Sequence, residues 1–189
     1  MLKKIVILGP ESTGKSTLCT RLAEHYNTLW VPEYAREYLT THGPGYTYES
    51  LLDIAKGQVA LEEKYIKKAT AGQPGTPKQH VTSNPQPPTL FIDTEMYVMK
   101  VWCEFVYGKC HQWIIDRIVE RSYDLFLLCN IDLPWMPDIL REYPDEAPRQ
   151  QLFRMYHDIL INQSVPWAVI SGNYEQRLQS AINAVNGIL

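Results

Sequence analysis

Five stretches of mostly consecutive apolar residues punctuate the chain, at positions 4–9, 29–33, 89–94, 125–130 and 166–171. Each is short, and none alternates with polar residues as a half-exposed strand does, so they predict strands of a parallel sheet covered on both faces. The intervening segments carry a different period. Leu18, Leu22 and Tyr26 recur at every fourth position, Leu152, Phe153, Tyr156 and Leu160 keep similar spacing, and Leu178, Ala181, Ile182 and Val185 mark a closing helix. Strands alternating with amphipathic helices predict an α/β fold of three layers, with a five-stranded parallel sheet in the middle. One segment fits neither period: residues 69–88 are rich in Gly, Pro, Ser, Thr and Gln and offer almost nothing to bury. They read as a mobile surface loop, well beyond the usual connection of about 4–6 residues.

The most informative chemistry follows the first strand. Gly9-Pro10-Glu11-Ser12-Thr13-Gly14-Lys15-Ser16 fits the phosphate-binding pattern GxxxxGK[ST] and is followed by Thr17 and a helical period. A strand before and a helix after are the context in which that pattern carries meaning. Backbone N–H groups of Gly9, Glu11, Ser12, Thr13, Gly14, Lys15, Ser16 and Thr17 are placed to cradle phosphate, and Lys15 reaches the β and γ phosphates. The Ser16 hydroxyl suits Mg²⁺, which prefers oxygen ligands, substrate phosphates and water. ATP or GTP is the implied nucleotide.

Composition narrows the classes. At 189 residues with 45% hydrophobic content, the chain suits a single domain spanning 1–189. A net charge of −3 and no long basic run argue against general nucleic-acid binding. Cys19, Cys103, Cys110 and Cys129 show no CxxC spacing, which argues against a zinc or dithiol site. The first residues form a core strand rather than a secretory leader, and no apolar stretch reaches the roughly 18 residues of a membrane span, so a cytoplasmic protein with no membrane partner is expected.

In open parallel sheets ligands gather beyond the carboxyl ends of the strands. Glu33 closes the second strand and opens Glu33-Tyr34-Ala35-Arg36, which puts a carboxylate and a guanidinium three residues apart. Phosphoryl transfer to a hydroxyl calls for a carboxylate to accept its proton, and Glu33 is the first candidate. Asp93 closes the run Leu90-Phe91-Ile92-Asp93 in the Walker B manner. It fits either a magnesium ligand or the base, and the alternative for it is a cap on the helix that follows. Gln58 falls in register with Leu51, Ile54, Ala55, Leu61 and Tyr65 on an apolar helix face, where its amide needs a core partner or a substrate. Residues 131–149 are rich in Pro and contain Arg141 and Arg149, a composition suited to a lid that brings guanidinium groups to the transferring phosphoryl. Trp135 within it is a candidate for substrate stacking, and Gly172-Asn173 after the last strand for contact with the nucleotide base.

The phrases GPESTGKST, VPEYAREY, IAKGQ, FIDTE and LPWMPDILRE, in this order, resemble the NadR-type ribosylnicotinamide kinase module over nearly the whole chain. The resemblance implies a P-loop kinase fold with a central five-stranded parallel sheet and a lid, ATP and Mg²⁺ as cosubstrates, and nicotinamide riboside as the small-molecule acceptor. On matching positions it implies that Gly14, Lys15 and Ser16 hold phosphate and metal, that Glu33 and Arg36 belong to the acceptor side, that Asp93 is the acidic site residue and that Arg141 is a lid arginine. Longer members carry a DNA-binding segment and an adenylyltransferase domain, and neither activity is expected of these 189 residues. The lid phrase departs from the family pattern in reading Pro-Asp-Ile-Leu-Arg, without Asp-Gly before the basic residue. Another nucleoside or metabolite kinase, or a nucleotide-dependent ATPase switch acting on a protein partner, are the alternative readings.

Overall fold

The apolar runs pair into one sheet in the computed structural model, which describes residues 1–71 and 87–189. β1 (Lys3–Leu8) is central, flanked by β3 (Thr89–Asp93) and β4 (Leu125–Cys129), with β2 (Leu29–Val31) and β5 (Trp167–Ile170) at the edges. Every pair is parallel, in the order β2-β3-β1-β4-β5. The strands end one or two residues earlier than their apolar runs suggest, leaving Gly9, Glu33, Thr94, Asn130 and Ser171 beyond the ladder. For β2 the reason is Pro32, which has no N–H to donate to a neighbour.

Side chains alternate across the sheet, and each face receives its own helices. Ile5, Ile7, Phe91, Leu125 and Leu127 pack against Leu18 and Leu22 of α1 (Lys15–His25) and Ala181 and Val185 of α7 (Tyr174–Asn186). Val6, Leu8, Leu90, Ile92, Phe126 and Leu128 face Val98 and Val101 of α4 (Met96–Tyr107) and Leu152, Tyr156 and Leu160 of α6 (Glu146–Ile161). Burying each such side chain contributes about 1.5–3 kcal/mol, so the two layers hold β1 rigidly where the phosphate loop leaves it. A third apolar cluster joins α3 (Tyr48–Ala71), α4 and α5 (Gln112–Glu120) through Leu51, Ile54, Met96, Met99, Cys103 and Ile114. Between β2 and α3 lies α2 (Tyr34–His42).

At the amino ends of the strands the sheet is closed by the Lys3–Asp124 and Arg121–Glu62 ion pairs, both at 2.9 Å. The carboxyl ends are open. The chain places β2 and β3 on one side of β1 and then crosses to add β4 and β5 on the other, which makes the end of β1 a topological switch point where ligands collect. Helix α3 extends to Ala71, so residues 69–71 of the expected loop are helical, and the rest of that loop up to residue 86 lies outside the described residues.

Candidate active site

The phosphate loop is set by close backbone contact. At Gly9, with φ of 139°, an added Cβ would stand 2.7 Å from the Cys129 carbonyl oxygen, so only glycine lets the loop lie against the end of β4. Thr13 Oγ1 donates to the Pro10 carbonyl at 2.7 Å and Lys15 Nζ to the same oxygen at 3.0 Å. Helix α1 has no side-chain cap and no acidic residue in its first turn, so its first N–H groups and its positive end are left to an anion.

Arg177 fixes this loop from behind, and nothing in the sequence periodicity singled it out. The side chain, only 2% exposed, donates to Thr13 O at 3.1 Å, Asn130 O at 3.0 Å and Gly172 O at 2.7 Å, and pairs with Asp132. One planar fork thus joins the phosphate loop, the end of β4 and the turn before α7. Arg177→Ala leaves those carbonyls and Asp132 without their partner, at a cost of about 3 kcal/mol. The expected result is a melting midpoint lower by roughly 6–10 °C and a raised KM for the nucleotide, read by scanning calorimetry and steady-state kinetics.

Asp93 is fully buried at the end of β3 and accepts a 2.5 Å hydrogen bond from Ser16 Oγ. Its other oxygen, Oδ1, is buried with no hydrogen-bond partner among the described residues. Burial, and then the charge of Glu33, push the Asp93 carboxyl up from the ordinary 3.8 to about 6, against the pull of Lys15, the Ser16 bond and Arg36. The next residue, Thr94, holds φ at 76°, a left-handed conformation that costs a β-branched residue roughly 1–3 kcal/mol. Glu95, rather than Asp93, caps α4: its carboxylate accepts from the Tyr97 N–H at 2.8 Å.

Burial pushes the Glu95 carboxyl up from the ordinary 4.5 to about 8, outweighing its backbone hydrogen bonds. A carboxyl whose folded pKa is raised binds its proton in the native state, so its stabilisation is complete below about 4.5 and is lost as pH rises towards about 8. Asp93 acts in the same direction between 3.8 and about 6. Thermal stability should therefore decline from mildly acid pH to pH 8, and Glu95→Gln should remove roughly 2–4 kcal/mol of that decline above pH 6, measured by denaturant unfolding across the range.

Beside the phosphate loop the strand ends open into a cavity of about 170 Å³. Glu11, Ser12, Thr13, Gly14, Lys15, Ser16 and Thr17 line one end together with Glu33, Arg36 and Arg141. Its remaining wall is mostly apolar and aromatic, with Leu39, Tyr46, Leu51, Ile54, Val98, Met99 and Trp102, joined by Thr94 and the carboxylate of Glu142. Glu33 sits at the start of α2 without capping it, which leaves its carboxylate to the cavity.

The segment between β4 and α6 folds over the phosphate loop and is tied to it. Glu11 accepts from the N–H groups of Glu142 at 3.0 Å and Tyr143 at 2.5 Å, and Ser12 Oγ accepts from Met136 N at 2.9 Å and Arg141 Nη1 at 3.3 Å. Arg36 pairs with Asp138 at 3.1 Å across the opening. The irregular part of this segment ends before Glu146, so Arg149, expected in the lid, belongs to α6.

Several expected site residues stand elsewhere. Arg149 is 5% exposed, donates to Leu133 O at 3.5 Å and lies over the Trp135 ring at 5.5 Å, and neither residue lines the cavity. Trp102, not Trp135, supplies the tryptophan of the cavity wall. Gln58 has a core role: its Oε1 accepts from Tyr34 N at 2.7 Å and its Nε2 donates to Pro32 O at 3.4 Å, fixing the start of α2 and with it Glu33. Next to it, a Cβ on Gly57 would fall 1.9 Å from the Tyr34 ring, so α2 approaches α3 only because that position is glycine. The Gly172 and Asn173 N–H groups, expected to face a nucleotide base, already donate to Asp132 at 2.6 Å and Gln176 at 2.9 Å.

The sequence model described as AAA domain matches residues 4–177. The chain belongs to the AAA domain family. Two curated relatives, each described as trifunctional NAD biosynthesis/regulator protein NadR, come from Escherichia coli and Salmonella typhimurium. Each is 25% identical over 193 residues, covering 100% of this chain and 43% of the relative. The chain therefore spans less than half the length of these relatives. Among solved structures, a NadR protein in complex with NR superposes with a TM-score of 0.69 at 21% identity, over 98% of this chain and 49% of that one. Thymidylate kinase from Ehrlichia chaffeensis gives 0.67 at 15% identity, over 98% of both chains. Deoxyadenosine kinase from M. mycoides, with products bound, gives 0.63 at 11% identity over 98% of this chain and all of that one. These likenesses agree with the α/β fold and its all-parallel five-stranded sheet.

Proposed function

We propose that this chain is an ATP-dependent kinase that transfers the γ-phosphoryl group to a hydroxyl of a nucleoside, with nicotinamide riboside as the acceptor. The observation that carries the reading is the continuity of one cavity from Lys15 and Ser16, through Glu33 and Arg36, to an apolar wall containing Tyr46 and Trp102. Phosphate-binding groups, a carboxylate and a surface suited to a flat ring share one cavity, as a nucleoside acceptor requires. A stand-alone ATPase has no use for the aromatic half. The printed descriptions of the relatives, NAD biosynthesis and a complex with NR, support this acceptor.

The residues divide the work by position. Lys15, released from the Pro10 carbonyl, takes the β and γ phosphates, while the N–H groups of the loop and of the first turn of α1 surround the rest of the chain of phosphates. Glu33 faces the acceptor and accepts the proton of the attacking hydroxyl, and Arg36 beside it orients the sugar. Arg141 stands at the phosphate end and spreads its charge over the transferring group. Asp93 lies behind Ser16 and out of the cavity wall, a position suited to the metal rather than to the hydroxyl. The Ser16 hydroxyl and the unpartnered Asp93 Oδ1 form a hard-oxygen pair that fits Mg²⁺. When bound there with ATP, Mg²⁺ supplies neutralisation of the phosphate charge.

ADP release by the purified protein with Mg-ATP, measured across nicotinamide riboside, uridine, cytidine and deoxynucleosides, tests the reading. Release that depends on nicotinamide riboside supports it. Release that is independent of any acceptor would replace it with the ATPase switch.

A further inference from the structure

We infer that Glu142 makes the aromatic end of the cavity selective for a nucleoside whose base carries a positive charge. The inference rests on the kinase reading above for the orientation of the acceptor, with its hydroxyl at the phosphate end and its base against the apolar wall. The two ends of the cavity differ in charge. Of its cations, Lys15 and Arg141 stand at the phosphate end, engaged with Pro10 and with Ser12 and Met136, and Arg36 stands beside Glu33 and is paired with Asp138. Among the described residues, the far wall offers apolar groups, two aromatic rings and the carboxylate of Glu142.

That carboxylate is held in place from both sides. The Tyr46 hydroxyl donates to Glu142 Oε2 at 3.1 Å, and Tyr46 is anchored through its own carbonyl, which accepts from the Tyr107 hydroxyl at 3.0 Å. The Glu142 backbone N–H is bound by Glu11 of the phosphate loop, and the neighbouring Tyr143 packs against Trp102 with ring centroids 5.7 Å apart. Tyr46 and Trp102 meet edge to face, at 6.5 Å and 82°, and make a corner for a planar ring. Aromatic faces attract a cation through their quadrupoles, and a carboxylate at the rim of the same corner adds to that attraction. A pyridinium riboside fits this corner in charge as well as in shape. Uncharged pyrimidine and purine bases gain nothing from the carboxylate, and desolvating it against them is unfavourable.

The test compares nicotinamide riboside with its reduced, uncharged dihydro form, which has nearly the same shape, in the wild type, in Glu142→Gln and in Tyr46→Phe. The glutamine still accepts from the Tyr46 hydroxyl, so it removes charge alone; the phenylalanine removes that hydrogen bond and keeps the charge. The expected result is a preference of the wild type for the cationic riboside in kcat/KM that falls roughly tenfold in Glu142→Gln, through KM and not kcat, and less at high salt. In Tyr46→Phe the preference should persist. Calorimetric binding of both ribosides is measured in parallel, so the outcome does not depend on turnover. A binding preference for the cation that is lost in Glu142→Gln supports the inference even if no phosphoryl transfer is seen and the kinase reading fails. Equal affinity of the wild type for the two forms, or an unchanged preference in Glu142→Gln, overturns it even if nicotinamide riboside is phosphorylated.

Discussion

Replacing Lys15 with alanine lowers kcat/KM for ATP-dependent phosphorylation by about a thousandfold or more and leaves the melting midpoint within a few degrees of wild type. The two halves of that expectation come from different physics. Removing one preorganised charge-stabilising donor costs about 10²–10³ in rate, and Lys15 both binds ground-state phosphates and follows the γ group into the transition state. Among the described residues its side chain donates to the Pro10 carbonyl at 3.0 Å and is partly exposed, so little of the fold depends on it. Steady-state kinetics and a thermal melt check both halves. Near-normal turnover in a folded Lys15→Ala protein contradicts the assignment of this loop to the donor phosphates.

Glu33→Gln is expected to reduce kcat by about 10²–10⁴, the usual contribution of a general base, with a much smaller effect on KM for ATP. The substitution preserves shape and a hydrogen-bond acceptor but cannot take up a proton at neutral pH. Asp93→Asn should behave differently. It sits behind Ser16 rather than in the cavity wall, so its loss should show as a steeply raised Mg²⁺ requirement, partly overcome by excess metal. If the metal dependence shifts in Glu33→Gln and not in Asp93→Asn, the two roles are reversed.

The parts of the site that the sequence disclosed are those built from consecutive residues. The phosphate loop is read from the backbone freedom of Gly9 and Gly14 and the chemistry of Lys15 and Ser16, all within eight positions. Strand-end acids are legible because a parallel sheet puts every strand's carboxyl end on one side, which is how Asp93 comes to feel the charge of Glu33. The aromatic wall was not legible. Tyr46 and Trp102 come from the approach to α3 and from α4, and Trp102 carries the same apolar signal as a core residue. Trp135 stands out in the sequence for its Pro-rich surroundings, yet it packs with Arg149 outside the cavity. Arg177 escaped notice because a lone arginine on a helix reads as surface, whereas four acceptors converge on it, one from the turn before its helix and three from two distant segments. Gln58 was conspicuous for its polarity on an apolar face, and its partners are the backbone groups of Pro32 and Tyr34.

The clasp between Glu11 or Ser12 and residues 136–143 gives the phosphate loop a second duty. The same short stretch that surrounds the donor phosphates holds the segment carrying Arg141 and Glu142, so donor binding and the acceptor end of the cavity share one set of backbone contacts. Burial raises the Glu11 carboxyl above its ordinary range, against the pull of the Tyr143 and Glu142 N–H bonds. Loosening of the clasp by protonation thus begins at a less acid pH than for an exposed glutamate.

Single-turnover transfer from γ-labelled ATP to nicotinamide riboside, with the products separated and weighed, tests the central claim most directly. Label recovered in the 5′-phosphate of nicotinamide mononucleotide, in amounts that follow the enzyme and at a rate about 10²–10⁴-fold lower in Glu33→Gln, is the expected result. Label recovered as inorganic phosphate at the same rate with and without the riboside contradicts it.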